Sequence, residues 1–185
     1  MISVAVTSVL YTKTHPKITP VLFLTIGFGM IGFLDDYIKV VLRRSMGLRP
    51  WQKMFLQIVV TGIFARYLIH IPSVSLSLKI PFMQGQYLDL GRLSIPFMFL
   101  VVIGTANGAN FTDGLDGLAS SVTIMIATFF TVIAVGTGAG IAPVTCAVTG
   151  ALLGFLLFNV HPARVFMGDT GSLALGGCVA ASAYM

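Results

Sequence analysis

Three short stretches of this chain concentrate side chains that do chemistry. The first, Phe33-Leu34-Asp35-Asp36-Tyr37-Ile38-Lys39, sets two carboxylates side by side with a lysine one helical turn after Asp35. Adjacent carboxylates repel, so both stay ionised only where a cation or well-placed donors compensate; otherwise one pKa rises, as a general base requires. A hydrated helix end with Asp35 and Lys39 as an i,i+4 pair would look the same.

The second stretch runs from Asn107 to Leu118 as N-G-A-N-F-T-D-G-L-D-G-L. Asparagine and aspartate offer amide donors and hard oxygen ligands, while glycine lets backbone approach a ligand closely, a combination suited to a diphosphate or a magnesium ion. Thr112 or Asp113 could instead simply N-cap the next helix, but capping explains one of these residues rather than four. The spacing fails the calcium-loop pattern, which wants oxygen ligands at alternate positions before its glycine. The third stretch, Asn159 to Ser172, holds His161 and an Asp169 flanked by Gly168 and Gly171 just before an apolar helix. Asp169 could ligate metal while the helix N-terminus faces an anion. A lone histidine such as His161 more often packs or caps than transfers protons.

The elements that position these stretches follow from composition. Of 185 residues, 56% are hydrophobic and only 9% are charged, far below the roughly 25% of a soluble domain. The chain therefore belongs in a bilayer. Apolar runs of 17 to 20 residues cover Ile18 to Leu34, Met54 to Ile71, Leu118 to Val135 and Ile141 to Val160, each near the ~20 that a crossing needs. A shorter run, Leu93 to Ala106, contains Pro96. Partial apolar segments at Met1 to Tyr11 and Gly171 to Met185 flank these five. The expected fold is all-α, a polytopic membrane helix bundle forming one integral domain over residues 1–185, with about five complete crossings and partial ones at each end. No cleavable signal is evident after Met1.

All six acidic residues are aspartate, and five of them fall in the three stretches. Ionisable groups retained in a membrane protein mark function by default. Five of the eleven basic residues, Lys39, Arg43, Arg44, Arg49 and Lys53, sit in one inter-span stretch. That stretch reads as a cytosolic loop facing anionic lipid or an anionic substrate rather than nucleic acid. Alternation through the crossings then puts loops 104–117 and 160–170 on the same side, so all three aspartate groups share one compartment. The opposite side receives residues 72–92, where Val74, Leu76, Leu78 and Ile80 alternate with Ser75, Ser77 and Lys79 and Gln84-Gly85 could turn a small external β-hairpin. Lys13 and Lys17 add positive charge to that side.

Other features carry less. Gly27 to Gly32 spells G-x-G-x-x-G, but inside an apolar span rather than between a strand and a helix, so it reads as a close helix contact. Gly150 to Gly154 reads as another small-residue helix face. Trp51 suits the membrane interface, and Arg66 either snorkels or pairs within the bundle. Cys146 and Cys178 lie in apolar runs and imply neither disulfide nor metal site.

Taken together, Leu34 to Lys39, Asn107 through Ala119, and Phe158 to Gly177 resemble the phospho-N-acetylmuramoyl-pentapeptide transferase family, within the polyprenyl-phosphate N-acetylhexosamine-1-phosphate transferase superfamily. Order and spacing agree across roughly residues 20 to 180. The Asp pair and the N-x-x-N-x-x-D-G-x-D-G-L run mark the superfamily, and the stretch from His161-Pro162-Ala163 to Asp169 points to the peptidoglycan branch. The resemblance implies transfer of phospho-MurNAc-pentapeptide from UDP-MurNAc-pentapeptide to undecaprenyl phosphate, forming lipid I and UMP with magnesium. It implies Asp35, Asp36 and Asp169 as catalytic, with Asp35 the base that deprotonates the lipid phosphate. Asp169, with Asp113, would bind magnesium. Gly114, Leu115, Asp116 and Phe166 would line a uridine pocket, with the aromatic ring on uracil. Lys39, Asn107, Asn110 and Asp113 would surround the diphosphate, and Lys53 could contribute. The site would face the cytoplasm from a bacterial inner membrane. Expected partners are the two substrates, membrane lipid and a second copy of the chain, with no nucleic acid.

Family members are usually longer, with a T-P-T-M-G-G-like amino-terminal loop and three consecutive histidines in a carboxy-terminal loop. Here the histidines are His15, His70 and His161. The chain is therefore expected to be the middle of the enzyme and, standing alone, inactive. Rival readings are a transferase using UDP-GlcNAc, a divalent-cation transporter, which expects carboxylates near the bilayer midplane, and an inactive fragment.

Overall fold

The computed structural model describes residues 2–43, 46–71, 76–79 and 87–185. It is a helix bundle: α1 (Ile2–Tyr11), α2 (Ile18–Val40), α3 (Pro50–Ile69), α4 (Ser94–Thr112), α5 (Leu118–Thr137), α6 (Ala142–Asn159) and α7 (Gly168–Ala183). Helices occupy all five expected crossings. Among the described residues, four stretches are long and apolar enough to cross a membrane: α2, α4 with the short 3-10 turn Gly91–Leu93 before it, α5 and α6. The remaining one, α3, is 20 residues long but carries Gln52, Lys53, Gln57 and Arg66.

The innermost helix is α7, in which the run Gly171 to Cys178 is buried throughout. It packs chiefly against α2 and α4, while α5 lies against α6 and α1 against α6. Small residues make this closeness available, because without bulky side chains two backbones can approach and gain dispersion contacts along their length. A Cβ on Gly32 would stand 2.1 Å from the Asp169 carbonyl oxygen, one on Gly176 2.5 Å from the Ala106 Cα, and one on Gly177 3.0 Å from the Leu24 carbonyl. The glycine run Gly27 to Gly32 is thus the helix contact read from its context: Gly27 faces Val60, Gly29 faces Ala174, and Gly32 meets α7 itself. The face at Gly150 and Gly154 differs from its reading. Nothing lies within 4 Å of a Cβ built on either glycine.

One further expectation is corrected, and one rival reading falls away. The shorter run ending at Ala106 is in fact a helix through Thr112, so Asn107 and Asn110 stand on helix rather than loop. The helix ends at Thr112 with Asp113 as its C-cap, and Gly117 turns the chain before α5. Neither Thr112 nor Asp113 caps the next helix: the N-cap of α5 is Gly117 at φ +74°, with no side-chain cap. On the far side, β1 (Leu78–Lys79) and β2 (Tyr87–Leu88) pair antiparallel, Leu78 opposite Leu88 and Lys79 opposite Tyr87. The turn expected at Gln84-Gly85, with Val74, Ser75 and Ile80, lies outside the described residues.

Candidate active site

The C-terminal end of α2 and the N-terminal end of α7 meet at one end of the bundle, and the aspartates sit where they touch. Asp36 receives the Asp169 backbone N–H at 3.3 Å, the Thr170 N–H at 2.9 Å and the Thr170 hydroxyl at 2.6 Å. The two N–H groups are donors that the first turn of a helix leaves unpaired, so a carboxylate from α2 caps α7. The residue at its own N-cap, Met167, supplies no side-chain bond. Gly168 is required here twice over: its φ is +65°, and a Cβ would lie 2.9 Å from the Asp36 carboxylate. The anion at this helix N-terminus is therefore Asp36.

Its neighbour Asp35 is buried, with 2% of its surface exposed. Its Oδ1 accepts the Leu48 backbone N–H at 2.6 Å from the α2–α3 loop, and its Oδ2 pairs with Lys39. Gly47 lets that loop close down, at φ +57° and with no room for a Cβ beside Asp35 and Lys39. The two adjacent carboxylates thus diverge, one into the loop and lysine, the other onto α7, each compensated by its own donors.

Asp169 is the hub. Its Oδ2 is 3.0 Å from the Lys39 Nζ and 3.1 Å from the Lys53 Nζ. Its Oδ1 accepts the Asn110 side-chain amide at 2.8 Å, and Asn110 also donates to Ser172 at 2.8 Å. Four helices, α2, α3, α4 and α7, thereby converge on one carboxylate. One oxygen from each of Asp35, Asp36 and Asp169 lies within 4.8 Å of the others. A compact set of three carboxylates is the donor chemistry of a hard cation such as magnesium or calcium, and this cluster could bind a metal ion.

Asp113 follows directly on α4. Burial, and then the negative charges of Asp169 and Asp36, push its carboxyl up to about 6. It stands at the edge of the trio rather than within it. Asn107, one turn below Asn110, makes a reciprocal amide pair with Gln57 of α3 and donates to the Ile103 carbonyl.

The expected nucleoside residues lie on two loops. Leu115 and Phe166 are exposed, and Gly114 continues the loop from α4. Asp116 accepts the Ala163 backbone N–H at 3.1 Å and contacts His161 Nδ1 at 3.0 Å, which ties the α4–α5 loop to the α6–α7 loop. The Ala163 N–H, followed by His161, holds the Asp116 carboxyl below its usual range. Phe166 borders a mostly apolar cavity of about 220 Å³, shared with Val4, Phe155, Met167, Thr170 and Leu175.

Sequence reasoning gave two contributors no role and named a third only as a residue that could contribute. Thr170, which donates to Asp36, and Ser172, which accepts from Asn110, lie in the third stretch without a role, and Lys53 is the third contributor. For Lys53 a signal existed in its company, the basic stretch around Lys39, but its target lies 116 residues away.

Residues 18–185 match glycosyl transferase family 4. Among curated relatives, a phospho-N-acetylmuramoyl-pentapeptide-transferase of Acetivibrio thermocellus is 47% identical over 188 residues, 100% of this chain and 56% of the relative. One of Clostridium kluyveri is 46% identical, covering 96% of this chain and 56% of the relative. One of Desulforamulus reducens is 51% identical, covering 89% and 50% respectively. The chain spans about half the length of the curated relatives it matches. The resemblance carried by the three motifs is borne out, and with the match running from the first residue of α2 past the end of α7, the chain belongs to glycosyl transferase family 4.

Proposed function

We propose that this chain carries the reaction centre of a magnesium-dependent phosphoglycosyl transferase, which moves phospho-MurNAc-pentapeptide from UDP-MurNAc-pentapeptide to undecaprenyl phosphate and yields lipid I and UMP. The observation that carries the reading is the convergence of Asp35, Asp36 and Asp169, from opposite ends of the chain, with Lys39, Lys53 and Asn110 around them. Relatives bearing that activity in their names supply the substrates. The centre forms part of a single integral domain of a bacterial inner membrane, facing the cytoplasm, because the basic α2–α3 loop lies on the same end as the aspartates. A lipid acceptor enters such a site from the bilayer and a nucleotide donor from the water.

Phosphoryl transfer needs positioning and charge neutralisation more than covalent chemistry. An oxygen of the lipid phosphate attacks the β-phosphorus of the donor, the bond to UMP breaks, and UMP leaves with the electron pair. Asp35, held in place by Lys39 and the Leu48 N–H, accepts the proton from the lipid phosphate. Lys39 and Lys53 are the ammonium groups placed to pass from Asp169 to the diphosphate oxygens. Asn110 orients Asp169, and Asp36 fixes the start of α7 from which Asp169 projects. Asp169 with Asp35 and Asp36 would hold magnesium, Asp113 standing next to them; when bound, the ion supplies charge stabilisation to the transferring group. Phe166, Leu115, Gly114 and Asp116 are the residues for the uridine. A second copy of the chain is a further proposed partner.

The test is UMP release by the protein expressed from its whole gene, with magnesium and undecaprenyl phosphate, offered either UDP-MurNAc-pentapeptide or UDP-GlcNAc. Turnover of the first donor is the expected result. Turnover of UDP-GlcNAc alone would move the chain to the other branch of the superfamily. Metal flux into proteoliposomes without any donor would favour a transporter, against which stands the placement of the trio at helix ends rather than along facing spans.

A further inference from the structure

Gln57 has no place among the motif residues, yet it is completely buried in the middle of α3. A buried primary amide needs partners for two donors and an acceptor, and it is expensive to keep without them. Asn107 of α4 supplies one donor's partner and the acceptor's: Gln57 Nε2 donates to Asn107 Oδ1 at 3.2 Å, and Asn107 Nδ2 donates to Gln57 Oε1 at 2.8 Å. The orientation is not arbitrary. Asn107 Nδ2 also donates to the Ile103 carbonyl at 2.8 Å, which only a donor can do, so the Asn107 amide is fixed and Gln57 must follow it.

The two helices run antiparallel, and that gives the pair its consequence. One turn toward the aspartate end from Gln57 is Lys53; one turn toward the same end from Asn107 is Asn110. Lys53 reaches Asp169 Oδ2 at 3.1 Å and Asn110 reaches Asp169 Oδ1 at 2.8 Å. A slide of α3 along α4 by one residue, about 1.5 Å, would break the reciprocal amide pair and carry Lys53 away from an oxygen whose partner on the other helix had not moved. Apolar contacts between α3 and α4 resist such a slide through shape alone, whereas a two-bond amide pair also fixes the register through direction.

We propose that Gln57 is a positioning residue for the transfer reaction: its amide pair with Asn107 sets the axial register of α3 against α4 and so delivers Lys53 and Asn110 to the two oxygens of Asp169. Asn107 acts here through Gln57, as the partner that makes the register. The proposal rests on the functional reading above for its kinetic consequence, but not for its geometry.

The test uses Gln57→Leu, which keeps the volume and removes the amide, and the exchange double variant Gln57→Asn with Asn107→Gln, which restores an amide pair. The sequence has three asparagines, Asn107, Asn110 and Asn159, whose side-chain amide signals in the selectively ¹⁵N-asparagine-labelled whole-gene protein are assigned by their loss in the single Asn→Asp variants. In Gln57→Leu the signals of both Asn107 and Asn110 are expected to shift, although Gln57 touches only Asn107, while Asn159, bonded to Val165 and Ser120, stays in place. Turnover per folded molecule is expected to fall on the order of 100-fold, in kcat rather than KM, as for a misplacement of about 1 Å. The exchange variant, which no longer has Asn107 to observe, is expected to return the Asn110 signal close to its wild-type position and to recover most of kcat. An Asn110 signal that does not move in Gln57→Leu, or a kcat that holds while only the yield of folded protein falls, would overturn the proposal. Where the wild type releases no UMP, the functional reading fails, and the asparagine signals alone decide the register.

Discussion

Asp36 caps a helix to which it does not belong: its carboxylate, near the end of α2, takes both the backbone N–H and the hydroxyl of Thr170 at the start of α7, at 2.9 and 2.6 Å. The same helix carries Asp169 in its first turn, so the cap and the proposed metal ligand are one rigid unit.

Asp36→Ala removes the side-chain cap of α7 and should cost about 1–2 kcal/mol, the range for a lost N-cap with its share of the helix-dipole term. Thr170→Val, which removes one of the three donors, should cost less. Thermal unfolding in a fixed detergent, followed by tryptophan fluorescence from Trp51, measures both, and the expected order is Asp36→Ala below Thr170→Val below wild type.

The α2–α7 contact gives a graded series. Gly32→Ala would press a methyl to 2.1 Å from backbone oxygen, which no rotamer change relieves, whereas Gly29→Ala meets the Ala174 methyl at 3.2 Å. Gly32→Ala is expected to lose about 1–3 kcal/mol or fail to accumulate folded, as overpacked cores do, with Gly29→Ala the milder of the two. Gly150→Ala, with nothing within 4 Å, is the control and should be silent. The folded fraction by size-exclusion chromatography ranks the three.

Asp113 offers a pH signature. Its carboxyl is raised to about 6 by burial and by Asp169 and Asp36. A folded value above the unfolded one means that the folded protein holds this proton more tightly. Its contribution to stability is therefore full below the ordinary carboxylate pKa and is lost as pH rises through 6. The metal-free protein should lose stability across that window, and Asp113→Asn should flatten the profile. Magnesium, by neutralising the neighbouring carboxylates, should move the change to lower pH. Melting temperature against pH, with and without magnesium, reads all three effects.

The convergence of the aspartates was legible because it depends on counting: five crossings put the ends of α2, α4 and α6 on one side whatever their packing. The Gly27 to Gly32 contact was legible from its context, an apolar span where no phosphate loop could form. The length of α4 was not. Gly104, Gly108 and the polar residues between them look like a loop, and only burial against α7, where Gly176 meets the Ala106 backbone, makes helix the better state through Thr112. The use of Asp36 as a cap, and of Gln57 as the partner of Asn107, depends on residues 134 and 50 positions away. No local pattern encodes such pairs.

The paired ammonium groups on Asp169 differ in what surrounds them. Lys39 also pairs with Asp35, whereas Lys53 has Asp169 as its acidic partner among the described residues. Lys53→Met should therefore lower turnover by about 10- to 100-fold through lost transition-state charge, while Lys39→Met should lower it further by also leaving Asp35 unpaired in a buried site. Steady-state kcat at saturating donor for the two variants checks the order.

The most direct test is magnesium-dependent release of UMP from UDP-MurNAc-pentapeptide, with undecaprenyl phosphate supplied, in the whole-gene protein and in its Asp169→Asn variant. Asn keeps the shape and one acceptor of Asp169 but not the charge that Lys39, Lys53 and a metal share. The expected result is near-complete loss of turnover in a variant that still folds. A variant rate equal to wild type would contradict a reaction centred on Asp169.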